Sequence, residues 1–409
     1  VALLRIRAGL VPGFAREGNV KIAILGVRSI GQAAAGGVET AMEELSTRLV
    51  ELGHDVTVFC RRRYMQDAAT SYRGVRLRPL PAVYTKHLEA ITNTVAGVLC
   101  TLRGFDVVHV NATGPALLSF IPRLFGRKVV VVVHGLDWKR EKWGLFARFA
   151  LKLGAWASAA FPQRTIVVSQ TLRHHFAKQY RCDTVYIPNG VTLPATDVKW
   201  SVDALGLVPG EYILFLSRLV PEKGCHTLIE AFKTLDTRKK LVIVGPPSHS
   251  QEYAEHLHRL AAGDDRIVFT GPLFGAGKDA VYRGAYCFVL PSTIEGMALV
   301  LLEAMSYGKC CLCSNIEENL EVIVPSAGDW LGNEAAAAAL PTTVAEQMAM
   351  AHGVWFEVGN VSSLAKVLRD LLDRPDEVTA VGQKARRYVA TQFNWDAIAA
   401  QYAAQYGST

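Results

Sequence analysis

Short apolar runs recur along the chain between amphipathic stretches, and midway the pattern starts again. The first series is "KIAILG" (21–26), "DVTVFC" (55–60), "DVVHV" (106–110), "VVVVVH" (129–134), "RTIVVS" (164–169) and "TVYIPNG" (184–190). The second is "YILFLSRL" (212–219), "KLVIVG" (240–245), "RIVFTG" (266–271), "CFVLPS" (287–292) and "CCLCSN" (310–315). Strand-like runs alternating with helical patterns specify parallel sheets with crossover helices. Runs that are apolar at every position, such as 129–133, suit strands covered on both faces. The seam between the series, "PNGVTLPATDVKWSVDALGLVPG" (188–210), is rich in Pro and Gly and has no periodicity. The expected architecture is α/β: two doubly wound, Rossmann-like parallel-sheet domains, 19–195 and 196–390. Ligands of such sheets sit at the carboxyl ends of the strands, so the two domains are expected to face a cleft.

Within the first unit, "TAMEELSTRLVELGHD" (40–55) places Leu45, Leu49 and Leu52 on one helical face, with the helix starting near Thr40 and Gly53 ending it. One segment breaks the rhythm of the second unit. Residues 326–353 are alanine-rich and strand-free, an inserted helical loop that either covers the cleft or forms a partner surface.

Composition narrows the function classes. Of 409 residues, 50% are apolar and 20% charged, a globular rather than a disordered balance. The net charge of +7 is too dilute for a nucleic-acid stripe but suits an anionic ligand or membrane face. No apolar run approaches the ~20 residues that span a bilayer. The first twenty residues lack the apolar core and cleavage site of a signal peptide. A cytoplasmic protein is expected. Cys310 and Cys313 form a C-x-x-C, but "KCCLCSN" reads as a buried strand, and no second Cys/His pair completes a zinc site. No metal site is assigned.

Three constellations carry possible chemistry. Gly36 and Gly37 lead into a helix after the first strand, either as a plain turn or as a loop that lets a phosphate approach the main chain. They match neither G-x-G-x-x-G nor the P-loop fingerprint. "GPLFGAGKD" (271–279) resembles the latter, but Pro272 and Asp279 stand at two required positions. Arg218 and Lys223, in "SRLVPEKG" (217–224), follow the first strand of the second unit. Together they suit a diphosphate, or else a solvated loop with a Lys–Glu pair. In "PSTIEGMALVLLEAMSYG" (291–308), a helix is expected from about Met297 to Tyr307, with Glu295 before it and Glu303 inside it. Main-chain N–H groups at Met297, Ala298 and Leu299 would form a second phosphate nest. Glu303 sits among apolar residues and needs hydrogen-bond donors, whether sugar hydroxyls or a neighbouring Arg. One ligand with a diphosphate centre flanked by hydroxyl-rich groups satisfies all three, and a nucleotide sugar fits better than a plain nucleotide.

At these residues the chain resembles the retaining glycosyltransferases of family 4, also called group 1, which have the GT-B fold. The likeness runs from about Lys21 to the C-terminus through "GGVET", "VVHVNATGPA", "VVVHGLDWKREKWG", "IVVSQTL", "YIPNGV", "SRLVPEKG" and "EGMALVLLEAM". It is most similar to a bacterial branch that builds cell-surface polysaccharides. The resemblance implies that Gly36 and Gly37 face the donor diphosphate or transferred sugar, and that His134 bonds a sugar hydroxyl. Arg218 and Lys223 would neutralise the leaving diphosphate, Glu295 would accept from donor-sugar hydroxyls, and Glu303 from ribose. The main chain near Leu273 would hold the base. Residues 391–409 would form a helix crossing back to the first domain.

The implied activity is transfer of a sugar from a nucleoside-diphosphate donor, UDP-linked as first guess, to a hydroxyl of a glycan or lipid-linked acceptor. Retention would follow from front-face attack, and cations would replace a divalent metal, with no cofactor and no nucleic-acid partner. The segment 139–161 mixes Arg148 and Lys152 with Trp143, Phe146, Phe149 and Trp156. It either covers its own sheet or docks peripherally on the inner face of the membrane. Rival readings are another GT-B enzyme, such as an epimerase or phosphorylase, and a non-catalytic sugar-nucleotide binder. Two departures from the family pattern are Ala298, where relatives often carry Gly or Pro, which bears on donor identity, and the 326–353 insertion.

Overall fold

The computed structural model describes residues 19–31, 36–65, 69–85, 88–139, 144–247, 251–325, 330–333, 336 and 338–407. The signal-peptide expectation, residues 140–143 of the amphipathic segment and part of the 326–353 insertion lie outside the described residues.

The first unit contains β1 (Lys21–Leu25), β2 (Asp55–Arg61), β3 (Ser71–Tyr72), β4 (Val75–Leu80), β5 (Val107–Asn111), β6 (Lys128–Val133), β7 (Arg164–Val167) and β8 (Val185–Tyr186). They form a sheet ordered β3-β4-β2-β1-β5-β6-β7-β8. The second unit contains β9 (Tyr212–Leu216), β10 (Lys240–Val244), β11 (Ile267–Gly271), β12 (Cys287–Leu290), β13 (Cys310–Ser314) and β14 (Val354–Phe356), ordered β11-β10-β9-β12-β13-β14. Val129 to Val133 are all fully buried, as a strand covered on both faces requires. On β13, Cys311 and Cys313 join one apolar cluster while Cys310 and Leu312 join another, the two-residue alternation of a strand between helical layers.

The structure adds strands that hydropathy did not mark. Tyr72 pairs with Val75 across Arg73 and Gly74, whose φ angles of +45° and +81° make a two-residue hairpin turn. β3 is therefore antiparallel to β4 in an otherwise parallel sheet. β14 is a three-residue strand parallel to β13, too short to stand out in "GVWFEVGN".

Two helix limits also differ from expectation. The first helix is Gly37–Glu51, starting before Thr40 and burying Ala41, Met42, Leu45 and Leu49. Leu52 caps its end and is exposed rather than packed. The helix expected from Met297 is Leu299–Ser306, because Met297 and Ala298 are drawn into the approach loop.

In each sheet the strand order reverses beside the first strand, at β1/β5 and at β9/β12. The crevices outside the carboxyl ends at these points are where such sheets take ligands. They are brought together by direct contacts between the units. The Asn189 N–H donates to Met297 Sδ at 3.2 Å. Glu321 accepts from the Gln170 and Thr171 N–H groups at 2.6 and 3.2 Å, at the start of the helix Gln170–Tyr180. Gly332, in the described part of the insertion, abuts His174 of that helix. The last helix, Trp395–Gly407, packs on the first unit: Val191 N–H donates to Phe393 O, and Arg48 pairs with Asp396 at 2.6 Å.

Candidate active site

β9 delivers its loop to the cleft and β12 delivers another beside it. A recess of about 340 Å³ is lined by Gly135 and Leu136 from the first unit and Arg218, Glu222, Lys223, Ile294 and Glu295 from the second. Lys223 ends the turn Pro221–Lys223, and its Nζ lies 2.5 Å from Glu295 Oε1. The pair is nearly sealed, with side-chain exposures of 12% and 8%. The Lys–Glu partnership that the sequence left open is thus formed with Glu295, across the recess.

The floor of this recess is an unusually close approach of main chains. A Cβ built on Gly296 would lie 1.7 Å from His134 O, and no other residue type fits there. His134 itself directly follows β6, with Nε2 at 2.9 Å from Asn111 Oδ1. Burial, with His109 nearby, pushes its pKa down to about 3, so the ring is neutral.

A second recess, about 640 Å³, is lined by Thr40 and Glu44, by Gly190, Val191 and Thr192, by Gly275, Lys278 and Asp279, by Leu299, Glu303, Ser306 and Tyr307, and by Trp395. Glu303 is only half-buried here, and its donors differ from both expected classes. Oε1 accepts from Lys278 Nζ at 2.7 Å and Oε2 from the Tyr282 hydroxyl at 3.1 Å. A carboxylate has about four lone-pair sites, so capacity for further donors remains. Leu273 lies in the turn between β11 and the helix Gly275–Gly284, beside this recess.

The paired glycines need no left-handed backbone: Gly36 is extended, at φ −81° and ψ 175°. Their value is positional. Gly37 and Leu299 are each the first residue of a helix, and a Cβ on Gly37 would touch Leu299 Cδ1 at 3.5 Å. Two helix N-termini therefore meet across the cleft, each carrying partial positive charge. Met297 and Ala298 are buried behind this contact.

The structure gathers Arg218, Lys223, Glu295 and the His134 main chain at one recess and Glu303 and Leu299 at the next. Sequence reading missed Lys278, Tyr282, Thr40 and Asn111. Lys278 lies in "GPLFGAGKD", which only resembles a P-loop, and Asn111 lies in "VVHVNATGPA".

Two Rossmann-like units whose switch points face each other over a cleft lined by charges of both signs define the GT-B class of glycosyltransferase. A model described as Glycosyltransferase Family 4 matches residues 35–193, and one described as Glycosyl transferases group 1 matches residues 205–388. The chain belongs to this family, the group 1 glycosyltransferases of family 4. It is 28% identical to the MMP alpha-(1->4)-mannosyltransferase of Mycolicibacterium hassiacum, covering 95% of this chain and 98% of that one. It is also 28% identical to the GDP-mannose-dependent alpha-(1-6)-phosphatidylinositol monomannoside mannosyltransferase of Mycobacterium tuberculosis, covering 90% and 94%. Among solved structures, sucrose-phosphate synthase of Thermosynechococcus elongatus superposes with a TM-score of 0.76 at 21% identity, covering 94% and 98%. Anabaena HepE, in complex with UDP and glucose, superposes with a TM-score of 0.73 at 17% identity, covering 95% and 100%. Both likenesses are of fold.

Proposed function

We propose that the enzyme transfers a sugar, with retention, from a nucleoside diphosphate to a hydroxyl of a glycan or lipid-linked acceptor. The observation that carries this reading is the meeting of two helix N-termini at Gly37 and Leu299, the latter four residues after Glu295 of the recess that holds Arg218 and Lys223. The two N-termini, Arg218 and Lys223 supply positive potential where a diphosphate would accumulate charge as it leaves, offset in the recess by Glu222 and Glu295. The bond from the anomeric carbon to the β-phosphate oxygen breaks, the acceptor oxygen bonds that carbon from the same face, and its proton passes to the departing phosphate. Arg218 and Lys223 stabilise the leaving group in place of a divalent metal. Glu295 receives donor-sugar hydroxyls, Glu303 receives ribose hydroxyls, and the main chain at Leu273 holds the base.

Family frequency pointed first to UDP. The name of the Mycobacterium tuberculosis relative instead favours GDP-mannose as the donor to try first. Melting-temperature shifts with GDP, UDP, dTDP and ADP, followed by release of nucleoside diphosphate from the cognate sugar nucleotide, test the reading. If no nucleotide raises the melting temperature, it falls. Turnover unaffected by EDTA is the expected sign of metal independence.

Among the described residues no helix is long and apolar enough to cross a membrane. The helix Leu145–Ala160 nevertheless exposes Leu145 and Phe146 at 86% each, with Phe149 and Trp156 also outward and Arg148 and Lys152 alongside. A surface of this kind fits peripheral docking on an anionic leaflet, where a lipid-linked acceptor resides. Co-sedimentation with vesicles containing anionic lipid, reduced by Phe146→Ser with Phe149→Ser, is the expected result.

A further inference from the structure

β5 carries His109 and Asn111 two residues apart, on one face of the central strand, and both are fully buried. The Asn111 amide is oriented by its own bond: Nδ2 donates to Leu25 O at 3.0 Å, so Oδ1 points the other way. That single oxygen lies 3.2 Å from His109 Nε2 and 2.9 Å from His134 Nε2. Amide oxygen only accepts, so both imidazoles must carry their proton on Nε2. His109 Nδ1 is then a bare lone pair, and the hydroxyl of Tyr406, from the last helix, donates to it at 2.6 Å. His134 Nδ1 is equally bare, and among the described residues no protein donor reaches it.

The geometry points to Asn111, His109 and Tyr406 as a positioning relay that holds His134 in the Nε2–H form, so that its Nδ1 is an obligate acceptor for a hydroxyl of the transferred sugar. The relay begins on the helix that crosses back from the second unit and ends beside the recess of Lys223 and Glu295. It therefore gives the enzyme a preference for donors with a hydroxyl, rather than a carbonyl or ether oxygen, at that point of the sugar. Gly26 makes room for it. At φ +90°, with a Cβ that would fall 2.4 Å from Asn111 O, it lets the end of β5 seat against β1. Loss of the Tyr406 hydroxyl frees His109 to move its proton to Nδ1. Its bare Nε2 would then oppose Asn111 Oδ1, and in the part of the population where the amide turns, giving up its bond to Leu25 O, Asn111 Nδ2 would force His134 into the Nδ1–H form.

This inference rests on the function proposed above, and the test separates the two. Long-range proton–nitrogen NMR of protein labelled with 15N-histidine reads the tautomer of each ring, His134 being assigned by the signal lost in His134→Gln. The free enzyme at neutral pH is expected to show His109 and His134 as Nε2–H tautomers. GDP-mannose, or UDP-glucose if only uridine nucleotides bind, is expected to move His134 Nδ1 upfield, whereas GDP or UDP alone is not. Tyr406→Phe is expected to place part of the His134 population in the Nδ1–H form. It should also lower kcat/KM for the donor up to about tenfold, the scale of one hydrogen bond, with affinity for the nucleoside diphosphate unchanged. A merely structural role for Tyr406 would lower the melting temperature without altering the tautomer. An Nδ1–H or doubly protonated His134 in the free enzyme would overturn the relay. So would an unmoved Nδ1 in a complex shown by melting shift to contain the sugar nucleotide. Failure of every sugar nucleotide to bind would sink the proposed function and the sugar contact with it, while the free-enzyme tautomers still decide the relay.

Discussion

Lys223 and Glu295 stand 72 residues apart in sequence and form a nearly buried ion pair, Nζ to Oε1 at 2.5 Å, in the recess between the two units. Removing one partner of such a pair leaves the other charge desolvated. Lys223→Ala is therefore expected to destabilise the protein by on the order of 3 kcal/mol. It should also slow turnover by roughly 100-fold or more, the usual loss when a preorganised charge at a developing anion is deleted. Thermal unfolding and nucleoside-diphosphate release measure the two effects. Wild-type turnover in this variant would remove Lys223 from the mechanism.

Gly296 packs against the His134 carbonyl more closely than any side chain allows. Gly296→Ala must separate the loop of Glu295 from the strand end of His134. A displacement near 1 Å at reacting groups costs about 100-fold in rate, and that is the expected fall in kcat. Binding of the free nucleotide should fall less than kcat, because Gly275, Lys278 and Asp279, on the other wall of the recess holding Glu303, come from a helix that Gly296 does not lead into. Calorimetry for nucleotide affinity beside steady-state kinetics would show whether the two separate.

Burial holds His109 down to about 4 and His134 to about 3. Unfolded histidines titrate near 6.5, so between these values the unfolded chain binds more protons than the folded one. Their contribution to stability is complete above about pH 6.5 and is lost as pH falls through 4 and 3. Denaturant unfolding at pH 7.5 and pH 5 should show the loss begin. The profile of kcat/KM should lack a limb from His134 between pH 5 and 8. Such a limb, abolished in His134→Gln, would contradict the neutral assignment.

Glu321 behaves in the opposite sense. Burial raises it to about 7 despite the N–H groups of Gln170 and Thr171 and the Thr171 hydroxyl. Folded protein thus keeps a proton that the unfolded chain releases near 4.5. The stability it contributes is full below that pH and disappears as pH rises through 7. Glu321→Gln is expected to flatten this slope between pH 5 and 7.5 and to retain the contact between the units. An unchanged slope would show that Glu321 is not its source.

Ala112 follows Asn111 with φ +71° and ψ 159°, a region that is essentially reserved for glycine. Ala112→Gly relieves that strain and should stabilise the fold by about 1 kcal/mol, net of the extra freedom of glycine when unfolded. A shift in the denaturation midpoint at constant slope would register it. A lower midpoint would mean that the strain is already relieved by neighbouring contacts.

The amino-acid sequence by itself determined the two sheets and the seam between them, because a strand buried on both faces must be apolar at every position, as 129–133 and 310–313 are. Arg218, Lys223 and Glu295 stood out as candidates for a related reason, as charges in loops that follow buried strands, and Glu303 as a carboxylate inside an apolar helix. The hairpin of β3 and β4 was not legible, since its turn is Arg-Gly with the arginine in a left-handed conformation. Only the tertiary structure decided who pairs with whom. Lys223 finds Glu295 rather than its neighbour Glu222, Glu303 finds Lys278 and Tyr282 rather than an arginine, and one oxygen of Asn111 serves both His109 and His134. Gly36 and Gly37 show the division most plainly. In sequence they were an ambiguous turn, and their use lies across the cleft, where Gly37 meets the first residue of a helix more than 250 positions away. Hydrophobic periodicity is local and can be read from neighbours, whereas a hydrogen-bond partner is fixed by where the folded chain returns.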